Sequence, residues 1–125
     1  MKVDLLFFDG CPNWHVAHER VTEALRRAGR HDQRVNLVRV ATDDEAQVLR
    51  FPGSPTVRVD GRDLFPGPFG VGLACRVYRT PDGPAGSPTV DQLVDAMASA
   101  GRAQYQGPGG RGPGRPEDRP VRWGR

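Results

Sequence analysis

Residues 3–14 read VDLLFFDGCPNW, and the change of period inside this stretch decides the fold. Residues 3–8 are short, apolar and rich in residues that favour extended backbone, which predicts a buried strand. From Trp14 the apolar spacing becomes Trp14, Ala17, Val21, Ala24, Leu25 and Ala28, one face of a helix that Gly29 stops. Proline is favoured at the first helical position because its missing N–H would be unpaired there, so Pro12 puts Cys11 at the N-cap. The Cys11 sulfur is then expected to face the free N–H groups of Asn13 and Trp14 and the positive end of the helix dipole. That environment stabilises thiolate and makes a cysteine nucleophilic and soft-metal-binding. An inert cysteine at a strand end is the other reading that position alone permits.

Outward from this junction, VNLVRV at 35–40 predicts a second strand. It leads into TDDEAQVLRF, where Thr42 and Glu45 have capping-box spacing for a short helix. Two strands joined by a helix imply parallel pairing through a right-handed crossover. Thr56 to Val59 predicts a third strand, and Asp60-Gly61 is a two-residue hairpin signal that returns the chain antiparallel. LACRVYR at 73–79 predicts a further strand, and PGPFGVG at 66–72 a loop carrying Phe69 as a flap. Alternation groups Cys75 with Leu73 and Val77 as a buried, inert face, leaving Arg76 and Tyr78 on a solvated one. Thr89 and Gln92 repeat the capping-box spacing before a stripe of Val90, Leu93, Val94, Met97 and Ala98, with Gly101 as the stop. The expected fold class is therefore α/β, with order β-α-β-α-β-β-α, a central mixed sheet and room for an extra strand. It occupies residues 1–101, and the Gly/Pro/Arg-rich composition of 102–125 predicts a disordered tail.

Charge supports the same division. The 125 residues carry a formal charge of +3, but residues 101–125 hold six arginines against two acidic residues. The first hundred residues then have 12 basic and 13 acidic groups, so no nucleic-acid partner is expected for the folded domain. Two cysteines cannot build a stapling framework, Asp4 breaks an opening apolar stretch too short for a secretory signal, and no apolar run approaches the roughly 20 residues of a membrane span. A reducing cytoplasm, no membrane partner and two resting thiols are the expectation.

Ser54-Pro55 opens the third strand, which would run antiparallel beside the first and so begin near Cys11. A cis bond there would hold the loop against the thiol and leave backbone groups free to pair with an extended substrate. A Cys-Pro helix start after the first strand and Pro55 opening the third resemble the thioredoxin superfamily. That resemblance covers roughly residues 1–100 and implies a thioredoxin-like fold in which a cis-proline faces the active thiol. More narrowly, FDGCPNW, GSPTVRVDG and GLACRVYRT resemble short bacterial thioredoxin-like proteins that include a DF-labelled selenoprotein group and chains labelled alkylmercury lyase. The chain departs from dithiol thioredoxins at Trp14, which stands where the second cysteine would be, so no local Cys-x-x-Cys disulfide can form. Trp14 falls on the apolar stripe and is expected to pack beneath the thiol.

Cys75 is then the only possible resolving partner for Cys11, and a disulfide requires their Cα atoms to lie within about 7 Å. His15 and His18 make a C-x3-H-x2-H series with Cys11 but lack an evident fourth ligand, so no metal and no cofactor is assigned. His15 can instead act on the thiol as a neighbouring cation. Asp9 can serve as a proton donor or oppose thiolate formation, and turn chemistry explains Asp9-Gly10 equally well.

Three functions follow. In the first, Cys11 attacks a disulfide or oxidised thiol on a protein or small-thiol substrate, Ser54, Pro55 and Trp14 position it, and Cys75 or an external thiol resolves the mixed disulfide. The second, implied by the lyase label, is organomercurial or soft-metal handling by Cys11 and Cys75 with Asp9 as acid. The third is a non-catalytic binding module that uses the proline loop and the 65–69 flap. The first is the expectation carried forward.

Overall fold

The computed structural model describes residues 1–105, with side chains through residue 100. The elements run β1 (Val3–Phe7), α1 (Asn13–Arg27), β2 (Val35–Arg39), α2 (Asp43–Leu49), β3 (Thr56–Val59), β4 (Arg62–Asp63), β5 (Tyr78–Thr80), β6 (Gly83–Ala85) and α3 (Val90–Tyr105). The result is a mixed α/β fold with a four-stranded mixed sheet in the order β2-β1-β3-β4.

β1 pairs in parallel with β2, Val3 opposite Val35, and antiparallel with β3, Val3 opposite Val59. The central strand carries alternate residues to two layers. Val3 and Leu5 join Val57 and Val59, α1 residues Ala17, Val21, Ala24 and Leu25, and α3 residues Leu93 and Met97 in one apolar cluster. Leu6 faces the other way, onto Val40, Ala46 and Phe51 beside α2. Both capping boxes form: Thr42 Oγ1 accepts from the Glu45 N–H at 3.1 Å, and Thr89 Oγ1 accepts from the Gln92 N–H at 3.1 Å. α1 ends where Gly29 adopts a φ of +77° and the Arg30 N–H reaches back to the Leu25 carbonyl at 2.9 Å. Asp60 and Gly61, with φ of 52° and 85°, turn β3 into β4.

Three expectations need correction. Helix α1 begins at Asn13 with Pro12 as its cap, one residue later than the Cys-Pro reading puts it. Residues 73–79 do not form one strand: Cys75 makes an isolated parallel bridge with Ser54, and only from Tyr78 does the chain enter a separate ribbon with β6. Pro55, following Ser54, has no N–H to extend that bridge. Gly101 does not stop α3, which continues to Tyr105; the rest of the expected tail, 106–125, lies outside the described residues. Among the described residues no helix is long and apolar enough to cross a membrane.

Candidate functional site

The site lies where the end of β1, the start of α1 and the entry to β3 meet. Cys11 is held by its backbone N–H, which donates to the Phe8 carbonyl at 3.2 Å, and its side chain is fully buried. Its Sγ donates to the Ser54 carbonyl at 3.5 Å. The sulfur therefore looks toward the β3 entry, whereas the capping geometry expected from Cys-Pro turned it toward the N–H groups of Asn13 and Trp14; α1 has no side-chain cap.

Ser54-Pro55 is a cis peptide bond, as the position of the proline suggested. The backbone of Ser54 is engaged on both sides: its N–H donates to the Ala74 carbonyl at 2.8 Å, and its carbonyl accepts from the Arg76 N–H at 2.8 Å. This overturns the expectation that Ser54 leaves its backbone free for an extended substrate, because residues 74–76 of the same chain already occupy it. The approach is close. A Cβ on Gly53, whose φ is +119°, would stand 3.2 Å from the Ala74 carbonyl oxygen, so the position favours glycine on both counts.

Between Ala74 and Arg76 the chain carries Cys75 to Cys11. Both are free thiols, and Cys75 is exposed where Cys11 is buried. Both reach the Ser54 backbone, Cys11 through its Sγ and Cys75 through its bridge, and interaction with Cys11 is the first cause, and burial the second, of the Cys75 pKa standing above the ordinary thiol value. Cys75 is thus exposed, where the alternation placed it on a buried face. From Cys75 to Arg79 burial alternates with the faces exchanged, Val77 being 63% exposed and Arg76 and Tyr78 3% and 4%, whereas Leu73 is half-buried against the Leu6 cluster and Ala74 is exposed.

Arg76 explains the exchange. Its Nη1 donates to Asp63 Oδ2 at 2.8 Å and to Thr56 Oγ1 at 3.1 Å, and Nη2 donates to the Phe65 carbonyl. The guanidinium also lies 4.3 Å from the Phe69 ring centre and 4.6 Å from that of Tyr78, within the range of cation–π attraction. Tyr78 donates its hydroxyl to the Pro55 carbonyl at 2.5 Å, and burial pushes its pKa up against the lowering effect of Arg76. The expected flap is therefore clamped through Arg76, and the same strand ties back to the cis-proline. Sequence reasoning missed Asp63 and this role of Arg76. The available signal was an arginine flanked in sequence by aromatic residues at 65, 69 and 78. Two buried polar atoms nearby, Ser54 Oγ and Arg76 Nε, make no hydrogen bond among the described residues.

The other expected site residues are placed differently. Asp9 accepts from Arg39 Nη1 at 3.0 Å on an exposed surface, its side chain 65% accessible, so its carboxylate is engaged by an arginine. Trp14 is half-buried and stacks on Phe7, ring centres 4.2 Å apart, and on His15 at 3.7 Å. It packs at the β1–α1 junction, on the Phe7 side. Among the described residues no three metal-ligating side chains are grouped, so Cys11, His15 and His18 do not assemble.

Comparison of the chain with protein-family models, curated proteins and solved structures finds no match.

Proposed function

We propose that the protein is a thioredoxin-like, thiol-dependent oxidoreductase of a reducing compartment, the cytoplasm, in which Cys11 and Cys75 cycle between dithiol and disulfide. The observation that carries the reading is the meeting of the chain's two cysteines, remote in sequence, across the Ser54 carbonyl at a cis-proline. The strand order β2-β1-β3-β4, with β3 antiparallel to β1, agrees with the fold that the Cys-Pro and Ser54-Pro55 resemblance implies.

In this reading the Ser54 carbonyl orients the Cys11 thiol, Pro55 holds the loop, and Trp14 stiffens the start of α1 against Phe7. Oxidation by a disulfide substrate forms the Cys11–Cys75 bond and reduces the substrate to two thiols; a reducing thiol reverses it. Organomercurial cleavage has less support, because it needs an acid beside the sulfurs and Asp9 is paired with Arg39.

The test is equilibration of the full chain in mixtures of reduced and oxidised dithiothreitol, followed by alkylation and mass spectrometry. A species lighter by two hydrogens, with neither cysteine alkylated, is expected to appear over a defined range of poise. Alkylation of both cysteines at every poise would overturn the reading and leave a binding module.

A further inference from the structure

The two sulfurs are unequal in access. Cys11 is 0% exposed, enclosed by the β1–α1 turn and the Ser54 loop, whereas Cys75 is exposed. An incoming disulfide must place one sulfur in line with the attacking thiol, and thiol–disulfide exchange is limited by that access. Cys11 has no open side for such an approach, because none of its surface is accessible. The backbone of Ser54, which could have paired with an extended polypeptide, is already bonded to Ala74 and Arg76. That segment is in turn anchored by the buried Arg76 and its pair with Asp63, so it is not a loose cover.

Resting on the redox reading above, we infer that exchange enters at Cys75, not at the helix-start cysteine, and that the substrate is a low-molecular-weight disulfide; Cys11 is the buried resolving thiol. In the first step Cys75 Sγ attacks one sulfur of RSSR′, forming Cys75–S–S–R. The departing R′S⁻ takes up the proton that Cys75 loses. In the second step Cys11 Sγ attacks the Cys75 sulfur, the bond to R breaks, and RS⁻ leaves with the Cys11 proton. The dithiol is oxidised by two electrons and the substrate is reduced to two thiols.

The probe is glutathione disulfide. With Cys11→Ala, a stable mixed disulfide is expected to accumulate on Cys75 at a rate close to wild-type substrate consumption. With Cys75→Ser, glutathionylation of Cys11 is expected to be at least about tenfold slower. Because either variant can disturb the packing, the wild-type chain is also mixed with one equivalent of glutathione disulfide, acid-quenched early and mapped by mass spectrometry. Glutathione on Cys75 supports the assignment; glutathione on Cys11, or equal rates in the two variants, overturns it. Reduced wild-type protein should act on disulfide-bonded insulin at least about tenfold more slowly than on glutathione disulfide, and equal rates would overturn the small-substrate assignment. If the wild type forms a Cys11–Cys75 disulfide but glutathione maps to Cys11, the redox reading survives and only the order of attack fails. If no such disulfide forms, the redox reading itself fails.

Discussion

Leu5 and Arg76 are both shut away from water, at 0% and 3% exposure, yet they are held there by opposite means. Leu5, on β1, packs with α1, α3 and β3 in a cluster of aliphatic side chains and methionine, where burial itself is the stabilising term. Arg76 sits between β3 and the 63–69 loop, where burial is a cost that only a full set of partners offsets. It has Asp63, Thr56 Oγ1, the Phe65 carbonyl and two aromatic faces, with Nε unpaired among the described residues. The difference teaches where each region is vulnerable. The apolar layer degrades by degrees as atoms are removed, whereas the Arg76 cluster fails when one partner is lost and a charge is stranded. That cluster also carries the adjacent Cys75, so its failure should appear in the chemistry of the thiols.

The largest effect should follow from stranding that charge. Asp63→Ala is expected to lower unfolding stability by about 3–5 kcal/mol and to expose the amides of 73–78 to hydrogen exchange. Adding Arg76→Met to it should recover part of the loss in denaturant titration; no recovery would mean that the cluster is held by shape, not charge. Leu5→Ala comes next, costing about 2–5 kcal/mol through lost burial and a residual cavity. Its effect should spread over β1, α1 and α3 without selectively raising exchange in 73–78, and a selective rise there would break the contrast. The smallest effect belongs to Tyr78→Phe, which removes the bond to the Pro55 carbonyl and should cost about 1 kcal/mol at neutral pH. Because the Tyr78 pKa is raised in the folded chain, its contribution is complete below the unfolded value near 10 and is lost as pH climbs beyond it. Wild-type stability should therefore fall above pH of about 10, and Tyr78→Phe should flatten that slope in denaturant titrations across pH.

How far the fold could be read from the residues depends on which forces act locally. The two capping boxes, the Gly29 stop and the Asp60-Gly61 turn are satisfied within a few residues, and each formed as its motif indicates. Gly101 failed as a stop because a glycine in a helix costs only about 1 kcal/mol, too little by itself to end α3. The Cys-Pro motif placed the helix start within one residue but misdirected the sulfur, since the partner that captures it, Ser54, arrives from far along the chain. The alternation was legible from Cys75 to Arg79 while its sense was not. A period of two says which residues share a face and is silent on which face meets the core.

The sequence alone determined strands β1 to β3 and the three helices, the two capping boxes, the Gly29 stop and the Asp60-Gly61 turn, the parallel and antiparallel partners of β1, and the position of the proline that opens β3. These follow from backbone propensities and hydrophobic period, which act over a turn of helix or a pair of residues. Only the tertiary structure decided that Arg76 is buried and Cys75 exposed, and that Cys75 stands against Cys11 across Ser54. Each of those outcomes turns on a buried polar group finding partners contributed by other segments. Asp63, Thr56 and Phe65 supply them for Arg76, and no stretch of neighbouring residues encodes that supply.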